Sequence, residues 1–233
     1  MSFVYKPPTE WIAPDVFPTE LLCQAKEIAI DLETRDPHLK ELGPGYIRGD
    51  GEAVGISFAI DGYENYFPFA HESGFNFSKK KVLEFTRKIC ATESDKVFHN
   101  STYDVGWLTH HGVPINGRII DTMIVAPLID ENQFWFSLNA LGREYINEGK
   151  SEGELSAAAE EWGLDPKADM WRLPSAYVGT YATQDAALTL KLWNHFKILL
   201  EEQNLWNIFD LEMKVLPVVL AMKQQGVRVD VQR

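Results

Sequence analysis

The sequence predicts an α/β domain with a mixed central sheet. Two observations carry this. Short segments of alternating apolar residues fill the first half, and longer segments at helical spacing fill the second. The 233 residues suit one domain, or one domain with an appendage, and 45% apolar residues suffice for a substantial core. The expected architecture is a mixed sheet of about five strands flanked by helices, with a helical C-terminal half. Propensity alone does not fix the strand order.

The elements follow in order. Residues 1–25 hold Pro7, Pro8, Pro14 and Pro18 and read as an extended lead-in with one short helix near 19–26. Residues 27–34 alternate as a strand, with Ile28, Ile30 and Leu32 on one face and Ala29, Asp31 and Glu33 on the other. The glycine-rich stretch 43–55 reads as a flexible loop. Residues 53–60 and 64–69 read as strands joined by a turn at Asp61-Gly62. A helix is predicted over 78–89, with Ser78 as N-cap. A short strand at 96–99 and a helix over 102–111, ended by Gly112, come next. A strand at 118–120 precedes helices over 121–129, 137–147, 151–162, 175–203 (capped by Ser175) and 205–225, the last broken by Gly226.

Composition excludes several function classes. No apolar run of 18 or more residues is present, so no membrane span is predicted, and the first residues have no signal-peptide core. The two cysteines, Cys23 and Cys90, form no CxxC pair, which argues against a zinc site and for two buried thiols in a reducing, cytoplasmic setting. The net charge of −12 argues against broad duplex binding through a basic surface. It is compatible with a carboxylate site whose metals supply the positive charge that meets a phosphate.

Three short motifs carry chemistry. Asp31 and Glu33 are two apart on a strand, so both carboxylates face the same way. Side by side they repel, and a divalent cation relieves that repulsion. Asn100 and Asp104 sit four apart where a strand meets a helix, and the helix N-terminus favours the Asp104 charge. Tyr181 and Asp185 are four apart on a long helix, in line with Leu188 and Leu192. A carboxylate on an apolar stripe is costly unless paired or metal-bound. Each motif alone is common and has a bland structural reading. Their order, spacing and element types together point to one site.

In these three motifs the sequence resembles the DEDD exonucleases. Asp31-Leu32-Glu33 resembles their first motif, the stretch from His99 to Asp104 their second, and that from Tyr181 to Asp185 their third. Tyr181 resembles the tyrosine-bearing branch, and the chain over roughly 20–230 is most similar to the proofreading domain of family A DNA polymerases, especially phage forms. Asp121-Thr122-Met123, Ser137–Leu141, and the tail with Gly226-Val227-Arg228-Val229-Asp230 add to the likeness.

The resemblance implies an RNase H-like fold and 3′→5′ removal of nucleotides from a single-stranded or frayed DNA 3′ end. Two divalent ions, Mg²⁺ or Mn²⁺, about 3.5–4 Å apart would assist. It implies Asp31 bridging both ions, Glu33 and Asp185 completing one site, Asp104 holding the second, and Tyr181 orienting the attacking water. Thr34, His99 and Asn100 are candidate substrate contacts. The implied layout is the lead-in over 1–25, an exonuclease domain over 26–203, and over 204–233 the helical start of a polymerase domain whose remainder acts in cis. A monomer is expected. An RNase D-type RNA exonuclease and a catalytically inactive binding module are the alternatives.

Other signals read as structural. The glycine-rich stretch lacks the P-loop pattern, and Arg48-Gly49-Asp50 is a chance tripeptide. His110-His111 fits a helix C-terminus. Trp162, Trp171 and Trp193 are expected in the core rather than stacked on bases. Lys167 and Arg172 read as a solvated loop.

Overall fold

The computed structural model describes residues 9–230. Pro7 and Pro8 of the expected lead-in lie outside the described residues. The sheet comprises β1 (Glu27–Arg35), β2 (Glu52–Ile60), β3 (Tyr63–Pro68), β4 (Asp95–Phe98) and β5 (Ile119–Asp121) in the order β3-β2-β1-β4-β5. The three strands β1, β2 and β3 pair antiparallel, β2 and β3 through the tight turn at Asp61-Gly62. β4 and β5 join parallel, which requires a crossover for each. Those crossovers are α4 (Lys79–Cys90) and α5 (Ser101–His110). The mixed sheet expected from the sequence is therefore present, and β1 is its centre.

Ahead of the sheet lies α1 (Thr19–Gln24), and α2 (Leu39–Leu42) and α3 (Gly45–Arg48) interrupt the segment between β1 and β2. After β5 the chain is helical: α6 (Thr122–Ile129), α7 (Leu138–Ile146), α8 (Gly153–Trp162), a 3₁₀ turn at Met170–Arg172, α9 (Ser175–Glu202) and α10 (Trp206–Gln225).

The alternation of β1 divides the core. Ile28, Ile30 and Leu32 pack with Val82, Phe85 and Ile89 of α4 and with Val105, Trp107 and Leu108 of α5. Ala29 faces the opposite side, among Leu192, Trp193 and Phe196 of α9 and Phe209 of α10. The N-terminal half of α9 forms a third cluster, in which Tyr177, Val178 and Ala182 meet Tyr66 of β3 and Leu155 of α8. α9 thus runs across β1, β2, β3 and β4, and it brings Asp185 to the face of β1 that carries Asp31 and Glu33.

Most boundaries agree with the sequence reading to within two residues, and several details differ. Ser175 is not the cap of α9: Pro174 holds that position, and the Ser175 hydroxyl donates instead to the Phe75 carbonyl at 2.5 Å. Ser78 sits at the cap of α4, but its side chain makes no capping hydrogen bond. The glycine-rich stretch is not an open loop. Asp36 accepts the Gly45 amide at 2.8 Å, Arg48 bonds the Gly43 carbonyl and reaches Asp50 at 2.5 Å, and Tyr46 is buried edge-on against Trp107. These contacts wind part of the stretch into the single turn α3, and its end forms the start of β2. Of the tryptophans, Trp193 is fully buried, Trp171 lies under the Arg35 guanidinium at 4.6 Å, and Trp162 is exposed rather than in the core. Cys90 is buried and Cys23 half-buried; both are free thiols.

Glycine is required at position 55. It pairs with Glu33 across β1–β2, and a Cβ there would fall 2.0 Å from the Tyr66 hydroxyl oxygen. The Tyr66 ring lies across that gap and bonds His71 Nε2 at 2.7 Å. Gly55→Ala should lower stability by about 1–3 kcal/mol through overpacking, read as a shift of the urea midpoint at unchanged slope. An unchanged midpoint would mean that Tyr66 moves aside freely.

Candidate active site

Three elements converge beside β1. Asp31 and Glu33 leave the same face of the strand, as its two-residue period requires. The β1–β2 pairing shifts register between Glu33 and Thr34, with Val54 as the extra residue on β2. Such a bulge bends and twists the strand locally, here at the Glu33 end of the pair.

The second motif is set by Asp121. Its carboxylate accepts the amides of Asn100 at 3.0 Å, Ser101 at 2.7 Å and Met123 at 2.9 Å, and the Ser101 hydroxyl at 2.7 Å. It therefore caps α6 and ties down the start of α5, with Asn100 in the left-handed region at φ 67°. One turn later Asp104 Oδ1 accepts the Leu32 amide at 3.2 Å. Leu32 lies between Asp31 and Glu33, so this bond locks the second motif to the first. The sequence reading noted Asp121 only within a resembling tripeptide; its capping role depends on the β4–β5 pairing.

The third motif comes from α9, where Tyr181 and Asp185 are both buried. The ligand-capable oxygens of Asp31, Glu33 and Asp185 lie within 4.8 Å of one another. Asp104 is outside that trio. It is coupled electrically to Asp31, whose charge helps to raise the Asp104 pKa.

The electrostatics are unfavourable for four free anions. Burial, then the charge of Asp185, pushes Asp31 up to about 7, partly offset by Lys150. Burial, reinforced by Asp31 and Asp185, holds Glu33 well above the usual carboxylate range, and burial with the charge of Asp31 does the same for Asp104. Asp185 is raised by burial despite Lys150 beside it. Its Oδ1 is buried without a hydrogen-bond partner. An all-carboxylate donor set with an orphaned oxygen fits hard divalent cations, which take oxygen ligands. Burial, followed by Glu33, Asp185 and Asp31, raises the Tyr181 phenol, so it stays protonated.

The candidate substrate contacts divide. A cleft of about 430 Å³ is lined by Asp31, His99, Asn100, Ser137, Asn139, Lys150 and Lys167, among others. His99 bonds Thr122 through Nδ1 at 2.9 Å, and its Nε2 is buried without a partner. Burial holds His99 down to about 4, so the ring is neutral near pH 7. The Asn100 side chain accepts from Thr102 at 3.3 Å and does not brace Asp104. Thr34 Oγ1 bonds the Tyr103 hydroxyl at 2.8 Å and does not line the cleft. Lys167 lines the cleft and pairs with Glu152 at 3.3 Å, whereas Arg172 pairs with Glu72 at 3.3 Å. His111 Nε2 lies 3.2 Å from Glu52, as a helix-end residue rather than part of the carboxylate cluster.

Sequence reasoning missed Lys150. It lies between α7 and α8, in the gap between the helices expected over 137–147 and 151–162. Its ammonium nevertheless bonds Asp185 Oδ2 and donates to the Tyr181 hydroxyl at 3.0 Å. No local pattern marks it, because the contact depends on how the loop meets α9.

The model of a 3′–5′ exonuclease family matches residues 17–201. The chain belongs to that family. It is 39% identical over 230 residues to a DNA-directed DNA polymerase of Pseudomonas phage M6, covering 97% of this chain and 35% of that protein. The chain thus spans about a third of that relative's length. Among solved structures, Brucella melitensis NrnC bound to pGG superposes with a TM-score of 0.64 at 17% identity, covering 93% of this chain and 94% of that one. The POL domain of Pol1 from M. smegmatis, in complex with DNA primer-template and dNTP, gives 0.63 at 14% identity, covering 91% of this chain and 31% of that one. At these identities the two structures bear out the fold alone, an RNase H-like α/β domain. Among the described residues no helix is long and apolar enough to cross a membrane.

The raised carboxylates fix a sign for pH. A carboxyl whose folded pKa lies above its unfolded value takes up a proton on folding. Its stabilisation is complete below the unfolded value and is lost as pH rises through the folded one. For Asp31 that window runs from the ordinary 3.8 to about 7. In EDTA the melting temperature of this domain should therefore fall between pH 5 and 7. Asp31→Asn should flatten that slope; an equal slope in the variant would contradict the assignment.

Proposed function

We propose that this domain hydrolyses the 3′-terminal phosphodiester of DNA and releases nucleoside 5′-monophosphates, as the proofreading part of a DNA polymerase. The observation that carries the reading is the convergence of Asp31, Glu33 and Asp185, with Asp104 hydrogen-bonded to the amide between the first two. The phage polymerase relative supports the polymerase setting. Residues 26–203 form the exonuclease domain on this reading. The segment from 204 begins the polymerase domain, whose remainder acts in cis. A monomer in the cytoplasm of a bacterial or phage-infected cell goes with it.

Asp31, Glu33 and Asp185 would hold one divalent ion, Mg²⁺ or Mn²⁺, and Asp31 with Asp104 a second. Such a pair lowers the pKa of water and offsets charge at the leaving 3′ oxygen. The protein's own groups do the positioning. Tyr181, kept as a phenol, donates a hydrogen bond that orients the attacking water rather than taking its proton. The neutral His99 ring and Asn100 both line the cleft and are placed for the terminal nucleotide. Thr34, whose hydroxyl bonds Tyr103, is a candidate contact through its backbone beside Glu33.

The test is cleavage of 5′-labelled single-stranded DNA and RNA of one sequence, with Mg²⁺, Mn²⁺ or EDTA. The expected result is a DNA ladder shortening from the 3′ end that depends on metal. Asp31→Ala should lose at least about 10³-fold in rate, and Tyr181→Phe about 10–100-fold. Faster loss of RNA would favour an RNase D-type activity. Undiminished cleavage by Asp31→Ala would overturn the two-ion reading.

A further inference from the structure

We infer that Lys150 is a tethered internal cation that competes with divalent metal for the Asp31–Glu33–Asp185 carboxylates. The inference rests on the proposed metal site and adds a residue that the three motifs do not contain.

Lys150 is held on the cleft wall by its backbone. Its amide donates to Asn139 Oδ1 of α7 at 3.0 Å, and the next amide, of Ser151, donates to Gln184 Oε1 of α9 at 2.6 Å. Gln184 Nε2 returns a bond to the Gly149 carbonyl at 3.1 Å. Gln184 immediately precedes Asp185, so the loop is clamped beside the carboxylate it serves. From there the ammonium bonds Asp185 Oδ2 and the Tyr181 hydroxyl, and it lies 4.9 Å from the centre of the Tyr181 ring. Its side chain is 18% exposed and that of Asp185 only 4%. A surface ion pair would not be so enclosed.

A lysine ammonium is a compact point charge with three donors on a flexible four-carbon stem. It can neutralise one carboxylate and then withdraw, as a backbone group could not. It occupies Oδ2 of Asp185 and leaves the buried Oδ1 without a partner. A divalent ion drawn to that oxygen meets a like charge close by. Two cations so close together in a largely buried cluster repel, because the interaction falls only inversely with distance and burial limits screening by water. Metal and ammonium therefore weaken each other's hold on Asp185, and by linkage the effect is reciprocal. The arrangement keeps the site partly neutralised without metal and sets metal affinity below what the carboxylates alone would give.

The test measures Mn²⁺ binding to the full chain by titration calorimetry at one pH, with thermal melts in EDTA and in saturating Mn²⁺. Lys150→Met should bind Mn²⁺ at least about tenfold more tightly than the unchanged chain. It should melt lower in EDTA, and saturating Mn²⁺ should abolish that deficit. Lys150→Arg, which keeps the charge, should bind Mn²⁺ like the unchanged chain, and Lys150→Gln repeats the neutral test should the Met variant not fold. Equal or weaker Mn²⁺ binding by both neutral variants would overturn the competition. Asp31→Asn separates the two levels. If it weakens Mn²⁺ binding while the neutral Lys150 variants do not tighten it, only the role of Lys150 fails. If Asp31→Asn leaves binding unchanged, the metal site itself fails.

Discussion

The whole arrangement depends on carboxylates forced together where water is scarce. Asp31, Glu33 and Asp185 place ligand oxygens within 4.8 Å of one another, and burial is the largest cause raising each of their pKa values. Nothing local favours this. It is imposed by α9, whose Leu192, Trp193 and Phe196 are fully buried against the sheet. Each such side chain contributes about 1.5–3 kcal/mol by leaving water, so apolar packing at the C-terminal half of the helix can hold an unfavourable charge cluster at its middle. A protein that spends packing energy in this way leaves a site whose most favourable occupant is a cation.

The other devices serve the same cluster. The Asp121 carboxylate gathers three amides and a hydroxyl, so the start of α5 has one geometry. From that start Asp104 reaches the amide between Asp31 and Glu33. Gly55 leaves room for the Tyr66 ring opposite Glu33. Lys150 adds a positive charge beside the cluster and so lowers the pKa values of Asp31, Glu33 and Asp185 alike.

Much of this was legible in the sequence, for a physical reason. Strand period put Asp31 and Glu33 on one face, and helix period put Tyr181 and Asp185 on another, without knowledge of the tertiary structure. The alternation of β1 placed Ile28, Ile30 and Leu32 on one face, and Ile28 and Ile30 are indeed fully buried together. What was not legible depends on contacts distant in the chain. The glycine-rich stretch is ordered by Asp36, Arg48 and Tyr46 meeting α5, and no local rule predicts that. Ser175 was expected to cap α9 because serine does so often, yet its hydroxyl found the Phe75 carbonyl, 100 residues away. Lys150 was invisible for the same reason: a lysine in a polar loop becomes a site residue only when Gln184 clamps that loop to α9.

The central claim is that this cluster is a two-cation site shared by Asp31. Crystals soaked in Mn²⁺ and measured for anomalous scattering test it most directly. The account requires two peaks, one among Asp31, Glu33 and Asp185 and one between Asp31 and Asp104. No peak at the cluster, or manganese bound only elsewhere on the surface, would contradict it.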